Sequence, residues 1–151
     1  MLIFDEPVAS LDPLARRAFL QNLMEFVAEL GVSVILSSHL LGDLERVCDH
    51  LVVLAGSRVQ LAGEVEDLLA DHYRVIGARG DLDALPPGID VIQAEQTARQ
   101  STLMVRDTSG LLPQVLNAEH LDLEAMILAY LIRAANDSVN SYAEQPLEAQ
   151  R

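Results

Sequence analysis

The first six residues constrain the fold more than any other part of the chain. Met1–Phe4 is a continuous apolar run that ends at two carboxylates, Asp5 and Glu6. A short apolar run of this kind is typical of a strand buried on both faces, as strands of parallel sheets are. Ligands of open α/β sheets bind beyond the carboxyl ends of their strands. We therefore expect the two acids to lie at a functional edge.

The next segments complete a strand–helix–strand unit. Asp12-Pro13 predicts a helix start, with Asp as N-cap and Pro at the first helical position, and Gly31 predicts its end. Val32–Leu36 is a second apolar, β-branched strand. Two strands joined by a helix are expected to be parallel, with a right-handed crossover. Another helix is predicted between His39 and about Cys48.

The rest of the chain divides near residue 72. Before it we predict a strand over Leu51–Ala55, a turn at Gly56-Ser57, a return strand over Arg58–Ala62 and a helix over Glu64–Asp71. Residues 73–134 predict a small α/β accessory domain. Its expected strands are 73–77, 89–93 and 101–106, and its expected helices are 81–85, 111–116 and 123–134. Residues 135–151 lack apolar periodicity and predict a disordered tail.

Composition excludes several classes of function. The formal net charge is −13, so the surface repels the phosphates of nucleic acids and of anionic lipids, and no nucleic-acid partner is expected. No apolar run approaches the roughly 20 residues that span a bilayer, which predicts no direct membrane insertion. The single cysteine, Cys48, forbids an internal disulfide and fits a reducing cytosol.

Three polar side chains are predicted to converge beyond the two parallel strands. Asp5 and Glu6 follow the first strand, and His39 follows the second. A metal-holding acid, a base and an imidazole at one point suit phosphoanhydride hydrolysis, whose catalysis is mostly positioning and charge stabilisation. Each residue also has a plain structural interpretation: the acids as a solvated turn, and His39 as an ordinary loop histidine.

The order and spacing of these residues resemble the ABC-type ATPases. Leu2-Ile3-Phe4-Asp5-Glu6-Pro7 resembles their Walker B motif, Ser10-Leu11-Asp12 their D-loop, and Ser37-Ser38-His39 their switch-histidine motif. The segment from Leu54 to Val59, with Gly63, is similar to the hairpin that follows. The resemblance covers about residues 1–72. It implies the C-terminal portion of a P-loop NTPase parallel sheet with flanking helices, followed by the small α/β accessory domain.

The resemblance also implies roles, with ATP and Mg²⁺ as cofactors. Asp5 would help to hold Mg²⁺, in part through water, and Glu6 would be the general base for the attacking water. His39 would contact the γ-phosphate. Ser10 and Asp12 would cross a head-to-tail dimer interface toward a second ATPase subunit, although Asp12 also serves as an N-cap. Residues 73–134 resemble, more weakly, the accessory domain of bacterial exporter-type subunits.

Several of the family's motifs have no counterpart in this sequence. No Gly-x-x-x-x-Gly-Lys-[Ser/Thr] loop occurs, and neither does the glutamine loop or the Leu-Ser-Gly-Gly-Gln signature. We therefore expect an incomplete ABC subunit, such as a truncated gene product, that binds ATP poorly and hydrolyses it negligibly alone.

The resemblance implies a cytoplasmic protein, peripheral at the inner face of the membrane through permease subunits. Two alternatives stay open: a non-catalytic fragment that docks on an intact ABC subunit, and a DNA-maintenance ABC ATPase.

Overall fold

The computed structural model describes residues 1–78, 85–112 and 118–143. The chain forms two compact units, Met1–Cys48 and Asp49–Arg151. Each unit is described by itself.

The first unit is a strand–helix–strand crossover with a short second helix. It contains β1 (Leu2–Asp5), α1 (Pro13–Leu30), β2 (Val34–Ser37) and α2 (Leu41–Leu44). The two strands are parallel, and the register pairs Leu2 with Val34 at one end and Asp5 with Ser37 at the other. The predicted parallel pairing is confirmed.

Both ends of α1 lie where the sequence predicts them. Asp12 is extended, and its side-chain Oδ1 accepts hydrogen bonds from the amides of Leu14 and Ala15 at 2.9 and 3.0 Å. These bonds satisfy two donors that have no partner inside the helix. Gly31 takes the left-handed conformation with φ of 59°, and its amide donates to the carbonyl of Val27 at 2.9 Å.

The prediction that β1 is buried on both faces is wrong. Ile3 is 68% exposed, and its register partner Ile35 is 54% exposed. Phe4, one position along, is half-buried and packs edge-to-face on Phe19 of α1 at 6.2 Å between ring centroids. Successive strand residues point to opposite faces. Within the first unit, α1 therefore packs on one side of this sheet, and Ile3 and Ile35 lie on the other.

The helix predicted to reach Cys48 is shorter than expected. It ends at Leu44, and the amides of Val47 and Cys48 both donate to the carbonyl of Leu44. The Cys48 bond spans four residues, as in an α-helix, and the Val47 bond spans three, so the chain continues in hydrogen-bonded turns beyond Leu44 without further regular helix.

The second unit begins with the predicted hairpin. β3 (His50–Ala55) and β4 (Arg58–Glu64) are antiparallel, and α3 (Val65–Asp71) follows. Gly56 and Ser57 both have positive φ, at 57° and 59°. Two residues of positive φ give a turn whose twist matches that of the flanking strands.

A four-stranded antiparallel sheet and a long helix complete the second unit. Its strands lie in the order β6-β7-β5-β8 and comprise β5 (His72–Ala78), β6 (Asp90–Gln96), β7 (Gln100–Arg106) and β8 (Ala118–His120). The last helix is α4 (Leu123–Ala143). A core cluster lies on this sheet, and its buried members are Tyr73, Val75, Leu103, Val105 and Leu112. The helix buries Leu123, Met126, Ile127 and Tyr130.

Helix α4 joins the hairpin to the four-stranded sheet in one compact unit. It packs on β3, β4 and β6, so the hairpin belongs to the same compact unit as the four-stranded sheet. Along the chain, the division between the two compact units falls between Cys48 and Asp49, and the domain boundary predicted near residue 72 stays a prediction. The helix also continues past Ala134, so residues 135–143 of the predicted tail are helical. Residues 144–151 lie outside the described residues, as do most of the predicted helices 81–85 and 111–116.

Candidate functional site

The carboxyl ends of β1 and β2 bring Asp5 and Ser37 side by side. The two residues are register partners. The Ser37 hydroxyl donates to Oδ1 of Asp5 at 2.6 Å, and Oγ of Ser37 in turn accepts a hydrogen bond from the backbone amide of Glu6 at 2.9 Å. The parallel register alone makes this contact possible, because it aligns the last residues of the two strands.

Glu6 turns the chain away from β1 and faces His39. Its φ is 47°, in the left-handed region that residues other than glycine rarely adopt. Its Oε2 lies 2.9 Å from Nδ1 of His39. An ionised carboxylate can only accept hydrogen bonds, so the ring nitrogen is the donor. The pair is open to water, since the His39 side chain is 67% exposed and that of Glu6 38%.

Ser10 and Asp12 do not join this group. Ser10 is exposed, and no hydrogen bond joins it to the two acids in the described part of the chain. Oδ1 of Asp12 is used at the start of α1. The structure therefore brings Asp5, Glu6 and His39 together, and it places Ser10 and Asp12 on the loop that leads away.

The site offers few ligands for a divalent cation or for a nucleotide. Among the described residues, no group of three or more His, Cys, Asp or Glu side chains could hold a metal ion. Asp5 alone suits a cation bound largely through water, because Ser37 holds one carboxylate oxygen and the other has no partner in the described structure. The full sequence contains neither a lysine nor a phosphate-binding loop. The sequence therefore lacks the glycine-rich loop and the lysine that cradle the β- and γ-phosphates in P-loop proteins.

Sequence reasoning missed the part played by Ser37. The motif drew attention to His39, and the serine two positions earlier was left without a role. The strand register could have identified Ser37. Ser37 ends β2 opposite Asp5, which ends β1, so the two side chains lie next to each other.

A second polar group lies buried in the other unit. His72 is fully buried, its Nδ1 bonds to the carbonyl of Leu68, and its Nε2 lies 3.0 Å from the hydroxyl of Tyr130. Burial lowers the pKa of His72 because it disfavours the charged ring, and Arg106 lowers it further, against the opposite effect of the Leu68 carbonyl.

The buried carboxylate of Asp107 is satisfied by its own loop. Burial acts to raise its pKa, but hydrogen bonds from Ser109, Leu112 and Gly110 outweigh that effect and lower the pKa below its usual value. Both buried groups thus have structural partners and lie in the second unit.

An open pocket of about 410 Å³ also lies in the second unit. The polar side chains that line it are Glu64, Asp67, Asp71 and Arg106. Arg106 and Asp71 form a loose ion pair with 3.7 Å between Nη2 and Oδ2. This pocket contains none of the residues that the motifs identify.

Comparison with known proteins identifies relatives among import ATP-binding proteins. The chain is 37% identical over 105 residues to the molybdenum import ATP-binding protein ModC of Rhodobacter capsulatus. The aligned residues make up 70% of this chain and 29% of that protein. It is 33% identical over 72 residues to the thiamine import ATP-binding protein ThiQ of Vibrio parahaemolyticus, or 48% of this chain and 31% of the relative. It is 29% identical over 127 residues to the methionine import ATP-binding protein MetN 3 of Pseudomonas fluorescens, or 83% of this chain and 38% of the relative. No protein-family model matches the chain.

These relatives are ATP-binding proteins of transporters, and the similarity covers only part of their length. The chain spans about a third of the length of these relatives. Its strands and helices form a mixed α/β structure consistent with the C-terminal part of an ABC ATPase domain. Among the described residues, no helix is both long and apolar enough to cross a membrane.

Proposed function

We propose that this chain supplies the water-activating part of the ATP-hydrolysis site of an ABC transporter subunit. The observation that carries the proposal is the group formed by Asp5, Glu6 and His39 at the carboxyl ends of β1 and β2. The similarity of the chain to import ATP-binding proteins supports the same assignment.

Each residue has a separate task in this proposal. Asp5 would help to hold Mg²⁺, mainly through water, and the bound ion would neutralise negative charge on the phosphates. Glu6 would orient the attacking water and accept its proton. His39 would bond to the transferred phosphate group and, through its 2.9 Å contact with Glu6, link that base to the bound nucleotide.

Ser10 and Asp12 would act on a neighbour in this proposal. Both lie on the loop between β1 and α1, and Ser10 is exposed. They would face a second ATPase subunit across a head-to-tail interface. The N-cap bonds of Asp12 are compatible with that role, because they use Oδ1 and leave Oδ2 unoccupied in the described structure.

In this proposal the β- and γ-phosphates would be held mainly by a phosphate-binding loop, which this sequence does not contain. Since this sequence offers neither a lysine nor a phosphate-binding loop, the isolated chain is expected to bind ATP weakly and to hydrolyse it negligibly. A decisive test therefore places the chain where a phosphate-binding loop is present. A chimera would carry this chain in place of the matching segment of the molybdenum import relative.

The test compares Glu6→Gln with Glu25→Gln in that chimera. Glu25 lies on α1 and accepts a hydrogen bond only from Gln21 among the described residues, so it is a matched control for the loss of a charge. We expect E6Q to lower MgATP turnover by about 100-fold or more, the usual contribution of a general base, while ATP binding persists. E25Q should retain the turnover of the chimera. Turnover by E6Q near that of E25Q would refute the assignment of the base.

The transport role is also a proposal. The chain would work with membrane permease subunits at the cytoplasmic face, peripheral to the bilayer. The weak resemblance of residues 73–134 predicts an exporter, whereas the relatives' printed names describe import of molybdenum, thiamine and methionine. Export therefore stays a prediction, which uptake and efflux measurements on the gene's deletion strain would decide.

A second candidate function rests on exposed apolar strand surfaces. Ile3 and Ile35 form one such pair in the first unit, and Leu54 and Val59 form another on the outer face of the hairpin. Surfaces of this kind favour association with another protein. The chain would then be a non-catalytic fragment that docks on an intact ABC subunit. Co-purification of the tagged chain with such a subunit would support this function, and a monomer in the lysate would count against it.

A further inference from the structure

The Ser37 hydroxyl bonds to both acidic residues of the site, to the side chain of Asp5 and to the backbone amide of Glu6. It donates to Oδ1 of Asp5 at 2.6 Å and accepts the amide of Glu6 at 2.9 Å. One hydroxyl can make both bonds because it carries one donor and two acceptor lone pairs. Alanine at this position would lose both bonds at once.

We propose that Ser37 is a positioning residue that fixes the relative geometry of the metal-holding and water-activating acids. The inference rests on the proposed function, because it assigns a role within the same site. Ser37 would touch neither substrate nor metal and would act through Asp5 and Glu6.

The backbone of Glu6 explains why such a support is needed. Its φ of 47° is unfavourable for a residue with a Cβ, and such conformations persist where surrounding contacts hold them. The bond from the Glu6 amide to Ser37 is one of these contacts. It keeps the Glu6 side chain on the side of His39, where the two groups are 2.9 Å apart.

The bond to Asp5 fixes the other acid. By engaging Oδ1, the hydroxyl selects one orientation of the carboxylate and leaves Oδ2 for a cation or its water. Without that bond the carboxylate samples several orientations, and ordering it again on metal binding weakens the affinity.

Ser38 provides a matched control next to it. Its hydroxyl accepts the amide of Leu40 at 3.0 Å and contacts neither acid in the described structure. Removing either serine hydroxyl changes the composition identically, so a difference between the two variants reports the bonds to the acids. Ser37→Thr retains the hydroxyl and adds a methyl group that a strand end tolerates.

The experiment uses the full ¹⁵N-labelled chain and Mn²⁺ alone as the probe. We expect Ser37→Ala to move the Glu6 amide proton upfield and to weaken Mn²⁺ binding about three- to tenfold, the effect of one lost hydrogen bond. Ser37→Thr should restore both the amide shift and the affinity, and Ser38→Ala should match the parent. Should S37A unfold the first unit, Ser37→Cys keeps the side-chain size, weakens both bonds and should give the same order of affinities.

The outcomes separate the inference from the function on which it rests. If Mn²⁺ broadens the Asp5 and Glu6 signals equally in the parent and in S37A, with the Glu6 amide unmoved, Ser37 positions nothing and the inference is overturned. If Mn²⁺ leaves these signals sharp in the parent, the proposed metal site itself is refuted, and the inference falls with it. If S38A loses as much affinity as S37A, the effect belongs to the turn and the inference is again overturned.

Discussion

The hydroxyl of Tyr130 is expected to stabilise the second unit through His72. The imidazole is fully buried, and its Nδ1 is bound to a carbonyl, so Nδ1 donates and Nε2 must accept. The described donor for Nε2 is Tyr130, 3.0 Å away. Tyr130→Phe would leave a buried acceptor without that partner, which destabilises a protein by about 1–3 kcal/mol.

Urea unfolding followed by circular dichroism measures this change, provided that the denaturant slope stays constant. Tyr73→Phe is the matched control, because Tyr73 and Tyr130 are both 6% exposed. The ring of Tyr73 packs on His120 with centroids 4.5 Å apart, and its hydroxyl bonds to no described residue. Y73F should leave the free energy of unfolding unchanged or raise it. The reasoning is refuted if Y130F is no more destabilising than Y73F.

Two further predictions concern pH and helix capping. Because burial lowers the pKa of His72, the unfolded chain takes up a proton near pH 6.5 that the folded chain does not. Stability should therefore fall as the pH drops below that value, by up to about 1.4 kcal/mol per pH unit until the folded pKa is reached. His72→Gln should flatten this dependence in urea titrations between about pH 7.5 and 5.5, and equal slopes would contradict the cause. Asp12→Ala should destabilise the first unit by about 1 kcal/mol, and Asp12→Asn by much less, since asparagine also caps. Hydrogen exchange of the Leu14 and Ala15 amides would test this, and equal protection in both variants would exclude the cap.

The sequence predicted best the features that depend on residues close together in the chain. Asp12 and Gly31 set the ends of α1 because capping depends on a few residues of local chain. Gly56 and Ser57 predicted the hairpin because only a few residue types adopt positive φ in succession. The parallel pairing of β1 and β2 also followed from local signals, since a helix separates two apolar runs.

Features that depend on distant residues could not be predicted in the same way. The bond between His72 and Tyr130 joins positions 58 residues apart, and no local pattern pairs them. The exposure of Ile3 depends on what covers the sheet, whereas its sequence pattern predicts only a strand. Helix α4 continues to Ala143 despite a polar composition, because its first turns are ordered by packing and each residue added to an existing helix gains one hydrogen bond.

The sequence predicted the two acids and the histidine of the candidate site. It did not predict the Ser37 hydroxyl that bonds to both acidic residues. Motif spacing indicated Asp5, Glu6 and His39. In the structure, Ser37 bonds to both Asp5 and Glu6, and Glu6 contacts His39 directly. The positive φ of Glu6 and the shared hydroxyl required the strand register, which residue spacing does not supply.

The most direct test of the central claim is a Mn²⁺ titration of the ¹⁵N-labelled chain, read as paramagnetic broadening residue by residue. The acidic pocket residues Glu64, Asp67 and Asp71 serve as an internal comparison, because a net charge of −13 attracts cations without any built site. The account predicts that Asp5, Glu6 and Ser37 broaden first and that Asp5→Asn abolishes this preference. Broadening that begins at the pocket, or that is uniform along the chain, would contradict a metal site at the ends of β1 and β2.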